Sequence, residues 1–186
     1  MRKNLYTILV VVTAALFGII LLFSKDKNTE APTFRERRGS VALSSEWLNT
    51  KQAIEGLLST IKLNPENSEA KLKLAQAYIE EGRISGDHGY YDPAALTLLE
   101  EVLEKDPQNF NAICCKATIL LSQHHFTEGL AVAKTAVPLN PNSAFVYGLM
   151  CDAYVELGQY DKAVEMADKM VSIRPDIRSY ARVSYL

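Results

Sequence analysis

Four prolines set the frame of this 186-residue chain. Pro65 (in KLNPEN), Pro107 (EKDPQN), Pro141 (PLNPNS) and Pro175 (SIRPDI) stand 42, 34 and 34 residues apart. Twelve residues before each lies a small residue: Ala53, Ala95, Gly129 and Ala163. Ten after the first three lies another (Ala75, Ala117, Cys151), and thirteen after them a larger apolar one (Tyr78, Leu120, Tyr154). Proline cannot continue a helix interior, so each closes a helix and opens a turn. Two antiparallel helices approach closely only where small side chains face each other, and the larger residue fills the adjoining space. The spacing predicts an all-α chain of repeated helix pairs.

A two-helix unit of 34 residues resembles the tetratricopeptide (TPR) repeat. The resemblance covers 68–175 as three repeats, at about 68–109, 110–143 and 144–177, preceded by a leading half-repeat at 44–67 (WLNTKQAIEGLLSTIKLNP from Trp47). The third repeat, AFVYGLMCDAYVELGQYDKAVEMADKMVSIRP, follows the family pattern most closely. The second departs from it, with Lys116 in place of a large apolar residue and Gly129 in place of Ala. The resemblance implies a right-handed α-solenoid of antiparallel helix pairs.

The first interval carries eight extra residues, and these fall between Tyr78 and Ala95, within EEGRISGDHGYYDPAA. Gly, Asp and Pro there predict a loop. Asp87, His88, Tyr90, Tyr91 and Asp92 make it a candidate contact surface, while one His with two Asp lacks a metal-ligand spacing. After Pro175 the chain runs DIRSYARVSYL, so that 178–186 resembles the start of a further first helix with no second helix. Solenoid ends usually carry a polar capping helix. Tyr180, Val183 and Leu186 are too apolar and too few for one, so the expectation is a truncated repeat, or an end that a partner covers.

The N-terminal part has a different character. The stretch from Leu5 to Phe23 (LYTILVVVTAALFGIILLF) is nineteen residues without a charge, and at ~1.5 Å per residue it matches a ~30 Å hydrocarbon core. It is longer than the apolar region of a signal peptide, and the nearest small-residue site, Thr29-Glu30-Ala31, is followed by Pro32. A retained transmembrane signal anchor after a short tail (1–4) is expected. Arg2 and Lys3 precede the span, and Lys25, Lys27, Arg35, Arg37 and Arg38 follow it. A positive-inside count alone would keep the following side cytoplasmic. The very short N-terminal tail favours export instead, giving a single-pass protein with an extracytoplasmic repeat domain, periplasmic if bacterial. Residues 24–43 are polar and unpatterned, and predict a flexible tether.

The net charge of −2 conceals +4 over 1–39 and −6 over 40–186. An acidic folded part repels a phosphate backbone, which disfavours nucleic acid. Cys114, Cys115 and Cys151 sit on predicted first helices as small buried residues, and His124-His125 falls in a solvated turn. No Gly-rich phosphate loop, nucleophile elbow or paired-His helix face is present. The chain is therefore not expected to be an enzyme or to hold a catalytic, cofactor or metal site.

Binding remains. In TPR arrays the first helices line a concave groove, and the resemblance places residues 4, 7, 11, 14 and 15 after each closing Pro on it. These are Glu69, Leu72, Gln76, Ile79 and Glu80; Asn111, Cys114, Thr118, Leu121 and Ser122; and Phe145, Gly148, Asp152, Val155 and Glu156. The set holds four carboxylates and no Lys or Arg, so the cationic clamp of co-chaperone TPR domains is absent. The expected partner is a protein or peptide, neutral or basic with apolar anchors, and neither a nucleic acid nor a small-molecule substrate. The expected function is a membrane-tethered scaffold for protein–protein interaction that binds a peptide or helix in this groove. The alternatives are a chaperone-like assembly factor for exported proteins, similar in layout to membrane-anchored TPR proteins of cytochrome c maturation, or the regulatory part of a larger protein.

Overall fold

The computed structural model describes residues 34, 35, 37 and 45–186, with side chains from residue 48 within the first helix. The described residues form eight helices and no strand: α1 Ser45–Leu63, α2 Ser68–Ser85, α3 His88–Lys105, α4 Phe110–Ser122, α5 Phe126–Ala136, α6 Ala144–Glu156, α7 Tyr160–Ile173 and α8 Ile177–Tyr185. The expected membrane helix at 5–23 lies outside them, and no helix among the described residues is long and apolar enough to cross a membrane.

The starts and stops follow the sequence. Asn67 and Asn109, each two residues beyond a closing Pro, cap α2 and α4 by accepting from the backbone N–H of Ala70 (2.9 Å) and Ala112 (3.1 Å). Asp176 does the same for α8 in a full capping box with Ser179. Three residues past these caps Ala70, Ala112 and Ser179 are all buried, so α8 is docked as a fourth first helix.

α2 pairs with α3, α4 with α5 and α6 with α7, and each second helix also packs on the next first helix. First helices touch one another along the series α2, α4, α6, α8, whereas second helices do not. That asymmetry makes the array a TPR solenoid with the first helices on a shared inner face. Ala75, Ala95, Ala117, Ala163 and Cys151 are buried where the helices meet, with Tyr78 and Tyr154 beside them. Ala53 is the exception: it is exposed, while Ile54 is fully buried. In a complete repeat that small residue faces a first helix of its own unit, and among the described residues α1 packs only on α2.

The loop expected between α2 and α3 is not there. His124 and Gly158, seventeen residues beyond their closing prolines, adopt the left-handed conformation that ends the first helices of repeats two and three. The equivalent Gly82 stays helical, α2 runs on to Ser85, and the left-handed turn falls at Gly86. Both helices of this hairpin are eighteen residues long, against thirteen for α4 and α6. The eight extra residues add about one 3.6-residue turn to each helix. A Cβ at Gly82 would lie 3.4 Å from both Asp92 Oδ1 and His88 Nδ1, so the missing side chain lets the added turns meet closely. Pro93 sits in the second turn of α3, where only the carbonyl of exposed Gly89 loses a partner.

Candidate functional site: the inner cleft and the hairpin tip

The expected groove residues divide into groups. Glu69, Gln76, Glu80 and Asn111 are exposed on the inner face, with Leu72 and Ile79 half-buried beside them. Cys114 is in the core, and Thr118 donates to its carbonyl at 2.9 Å. Ser122 donates instead to Asp92 Oδ2 on α3 (3.0 Å), and Leu121 packs towards α5 against Gly129. Phe145 is half-exposed. Gly148 is covered: a Cβ there would lie 3.3 Å from the Arg182 guanidinium and from the Met170 sulfur. Val155, Glu156 and Asp152 face α8 in a second, more apolar recess with Ile177 and Tyr185.

Across this face opens a cleft of about 750 Å³, which takes Glu80 and Arg83 from α2, Phe145 and Gly148 from α6, Met170 and Ile173 from α7, and Arg178 and Arg182 from α8. Arg174 and Asp176 line it between α7 and α8. The charge expected of this surface is therefore altered. Of the four carboxylates, Glu69 pairs with Lys73 at 2.7 Å and Glu80 with Arg83, while Asp152 receives Nε and Nη2 of Arg182, both at 2.7 Å. Hydrogen bonds from Arg83 and Lys73 hold the Glu80 and Glu69 carboxyls below their ordinary range. The hydrogen bond to Asp152 in turn raises Arg182. Counting offsets on the first three first helices missed these cations because Lys73 and Arg83 lie off the counted positions. The other three belong to the α7–α8 turn and α8.

The second surface is the tip of the long hairpin, and it carries Asp87, His88, Tyr90 and Tyr91 on a turn and helix rather than a loop. It holds part of the stretch expected to be a flexible tether. Arg37 Nε donates to Glu81 Oε2 at 3.1 Å and Nη2 donates to Oε1, with both side chains almost fully buried. Arg35 pairs with Asp87 at 2.7 Å and lies 3.6 Å over the Tyr90 ring. The Tyr91 hydroxyl lies 3.3 Å from the Arg35 N–H and 3.4 Å from its carbonyl, and Phe34 packs on the Tyr91 ring. Composition alone hid this, because the segment's partners are some fifty residues away. Asp92, buried, accepts from Ser122 and meets His88 Nδ1 at 3.4 Å, which ties the tip to α4. No group of three His, Cys, Asp or Glu among the described residues is placed to hold a metal ion.

Residues 87–170 match the family described as anaphase-promoting complex, cyclosome, subunit 3. A peroxisomal targeting signal receptor of Candida albicans is 31% identical over 136 residues, covering 66% of this chain and 21% of the receptor. The chain spans about a fifth of the length of the curated relatives it matches. Two solved structures share the fold. A thermophilic TPR protein of Thermus thermophilus superposes with a TM-score of 0.64 at 16% identity, over 74% of this chain and 75% of that one. MamA of Desulfovibrio magneticus gives 0.61 at 23% identity, over 73% of each. These matches and the helix-pair geometry agree on a tetratricopeptide-repeat fold for the described residues.

Proposed function

We propose that the chain is a membrane-tethered TPR scaffold, which holds a partner protein through a peptide or helix laid along its inner face. One observation carries the reading: helices as distant in sequence as α2 and α8 line a single cleft, with Phe145 half-exposed in it as an apolar anchor. Binding energy concentrates at such aromatic anchors. Tethering is supported by the uncharged stretch from Leu5 to Phe23. The names of the relatives, receptors and repeat proteins, agree with an interaction role and not with an enzyme. In this reading the repeat domain is extracytoplasmic, with Arg2 and Lys3 ahead of the stretch as in an N-inside signal anchor.

The test is crosslinked capture from native membranes, with the parent and Phe145→Ala run in parallel. Partner capture by the parent, lost in the variant, is expected, and the partner's compartment reports the topology. Equal capture by both would move the interface away from the cleft. Release of the chain from membranes by alkaline carbonate would remove the anchor from the reading.

A further inference from the structure

The cleft is lined by four arginines, Arg83, Arg174, Arg178 and Arg182, against two carboxylates, Glu80 and Asp176. Each carboxylate is already engaged. Glu80 pairs with Arg83, and Asp176 accepts from Ser179 N at 3.0 Å and pairs with Arg174 at 2.9 Å. Asp152, just outside, takes both forks of Arg182. Arg178 forms no ion pair among the described residues, although it lends some positive field to Asp176. The Arg83–Glu80 pair is solvent-exposed, and Arg174 is exposed beside a half-buried Asp176, a setting in which an ion pair adds little and a competing anion can take the cation. The start of α6, at residues 142–144, also opens onto the cleft, and Ser143 makes no side-chain cap there. The N–H groups of that first turn add to the positive field.

From this we infer that the groove takes an acidic segment: an extended peptide of the partner, with carboxylates set beside an apolar residue that packs on Phe145. The inference rests on the scaffold reading above and names the chemistry of its ligand. It reverses the neutral or basic partner expected from the first-helix positions alone, because the excess positive charge comes from the α7–α8 turn and α8. Charge complementarity disfavours a basic segment, which would meet Arg178 and an excess of guanidinia over carboxylates along the cleft. A polynucleotide is disfavoured because residues 40–186 carry a net −6. Each guanidinium fork matches a carboxylate through two bonds, so an extended strand that presents carboxylates in succession suits the row of arginines.

The test uses the 186-residue chain in detergent, probed against an array of short random-sequence peptides and a single-stranded oligonucleotide. An Arg174→Gln/Arg178→Gln double variant is run beside the parent. Both residues are exposed, and Arg182, which fixes α8, is left in place. Bound peptides enriched in Asp and Glu next to an aromatic or aliphatic residue are expected, with affinity falling about ten-fold or more in the variant and weakening with salt. Neutral or basic peptides bound equally well, or an unchanged variant, would overturn the inference while leaving the groove reading intact. Preference for the oligonucleotide would overturn it as well. No peptide bound by the parent, together with partner capture indifferent to Phe145→Ala, would overturn both.

Discussion

The Arg37 guanidinium and the Glu81 carboxylate meet as a two-bond pair with side chains only 4% and 1% exposed, across 44 residues of sequence. Removing one partner of a buried pair strands the other's charge, so Arg37→Ala should cost about 3–5 kcal/mol of stability in urea unfolding. An Arg37→Met/Glu81→Leu double variant should recover most of it. Arg35→Ala, whose Asp87 pair is far more exposed, should cost about 1 kcal/mol or less. A cost below about 1 kcal/mol for Arg37→Ala would mean the segment is not docked in solution.

His124 holds φ +62° at the turn where Gly158 serves in the next repeat. A non-glycine residue is strained there, although its ring also packs edge-on to Phe126 at 5.4 Å. His124→Gly should therefore raise stability by about 0.5–1 kcal/mol, read as a higher thermal midpoint. A lower midpoint would show that the ring contact outweighs the strain.

Gly129 stands where the family uses Ala, and a Cβ there would come within 2.7 Å of Leu121 Cδ2 and 3.0 Å of its Cγ. In the parent, Gly129→Ala should be neutral or destabilising by about 1 kcal/mol, since Leu121 must turn aside and helix propensity offsets only part. In a Leu121→Ala background the same change should stabilise by about 1 kcal/mol. The double-mutant cycle should show a coupling above about 1 kcal/mol, and additivity would sink the explanation.

Burial pushes the Cys114 thiol from 9.0 up to about 12, with Cys115 adding to the effect. Burial also raises Cys115, against an opposing hydrogen bond with Gln76, and raises Cys151 and the Tyr78 phenol. In each case the folded value lies above the unfolded one. Stability is then complete below about pH 9 and is lost as pH climbs towards 12, because only the unfolded chain ionises. The thermal midpoint should fall above about pH 9, and replacing all three cysteines by Ala should flatten that fall. A midpoint constant to about pH 11 would contradict the burial of these thiols.

Helix ends and helix contacts were legible in the chain because each is a local event. A proline stops a helix, an Asn caps the next, and an Ala permits a close approach, all at fixed offsets. The long hairpin was not, because Gly86, Gly89 and Pro93 are turn formers by type. Only Gly86 takes the left-handed conformation, while Gly89 and Pro93 are tolerated near the start of α3. The cleft's charge was illegible for another reason. Arg182 reaches Asp152 across 30 residues, and no offset rule within one repeat connects them.

A repeat array is built from neighbours in sequence, and folding through such local contacts is fast. The segment holding Phe34, Arg35 and Arg37 breaks that pattern, with contacts that close stretches of 44, 52 and 56 residues onto the long hairpin. Loop closure of that length is unfavourable until its docking site exists. The expected order is therefore that the hairpin assembles first and then receives Arg37. Refolding should show two phases, and the slower one should vanish in Arg37→Ala.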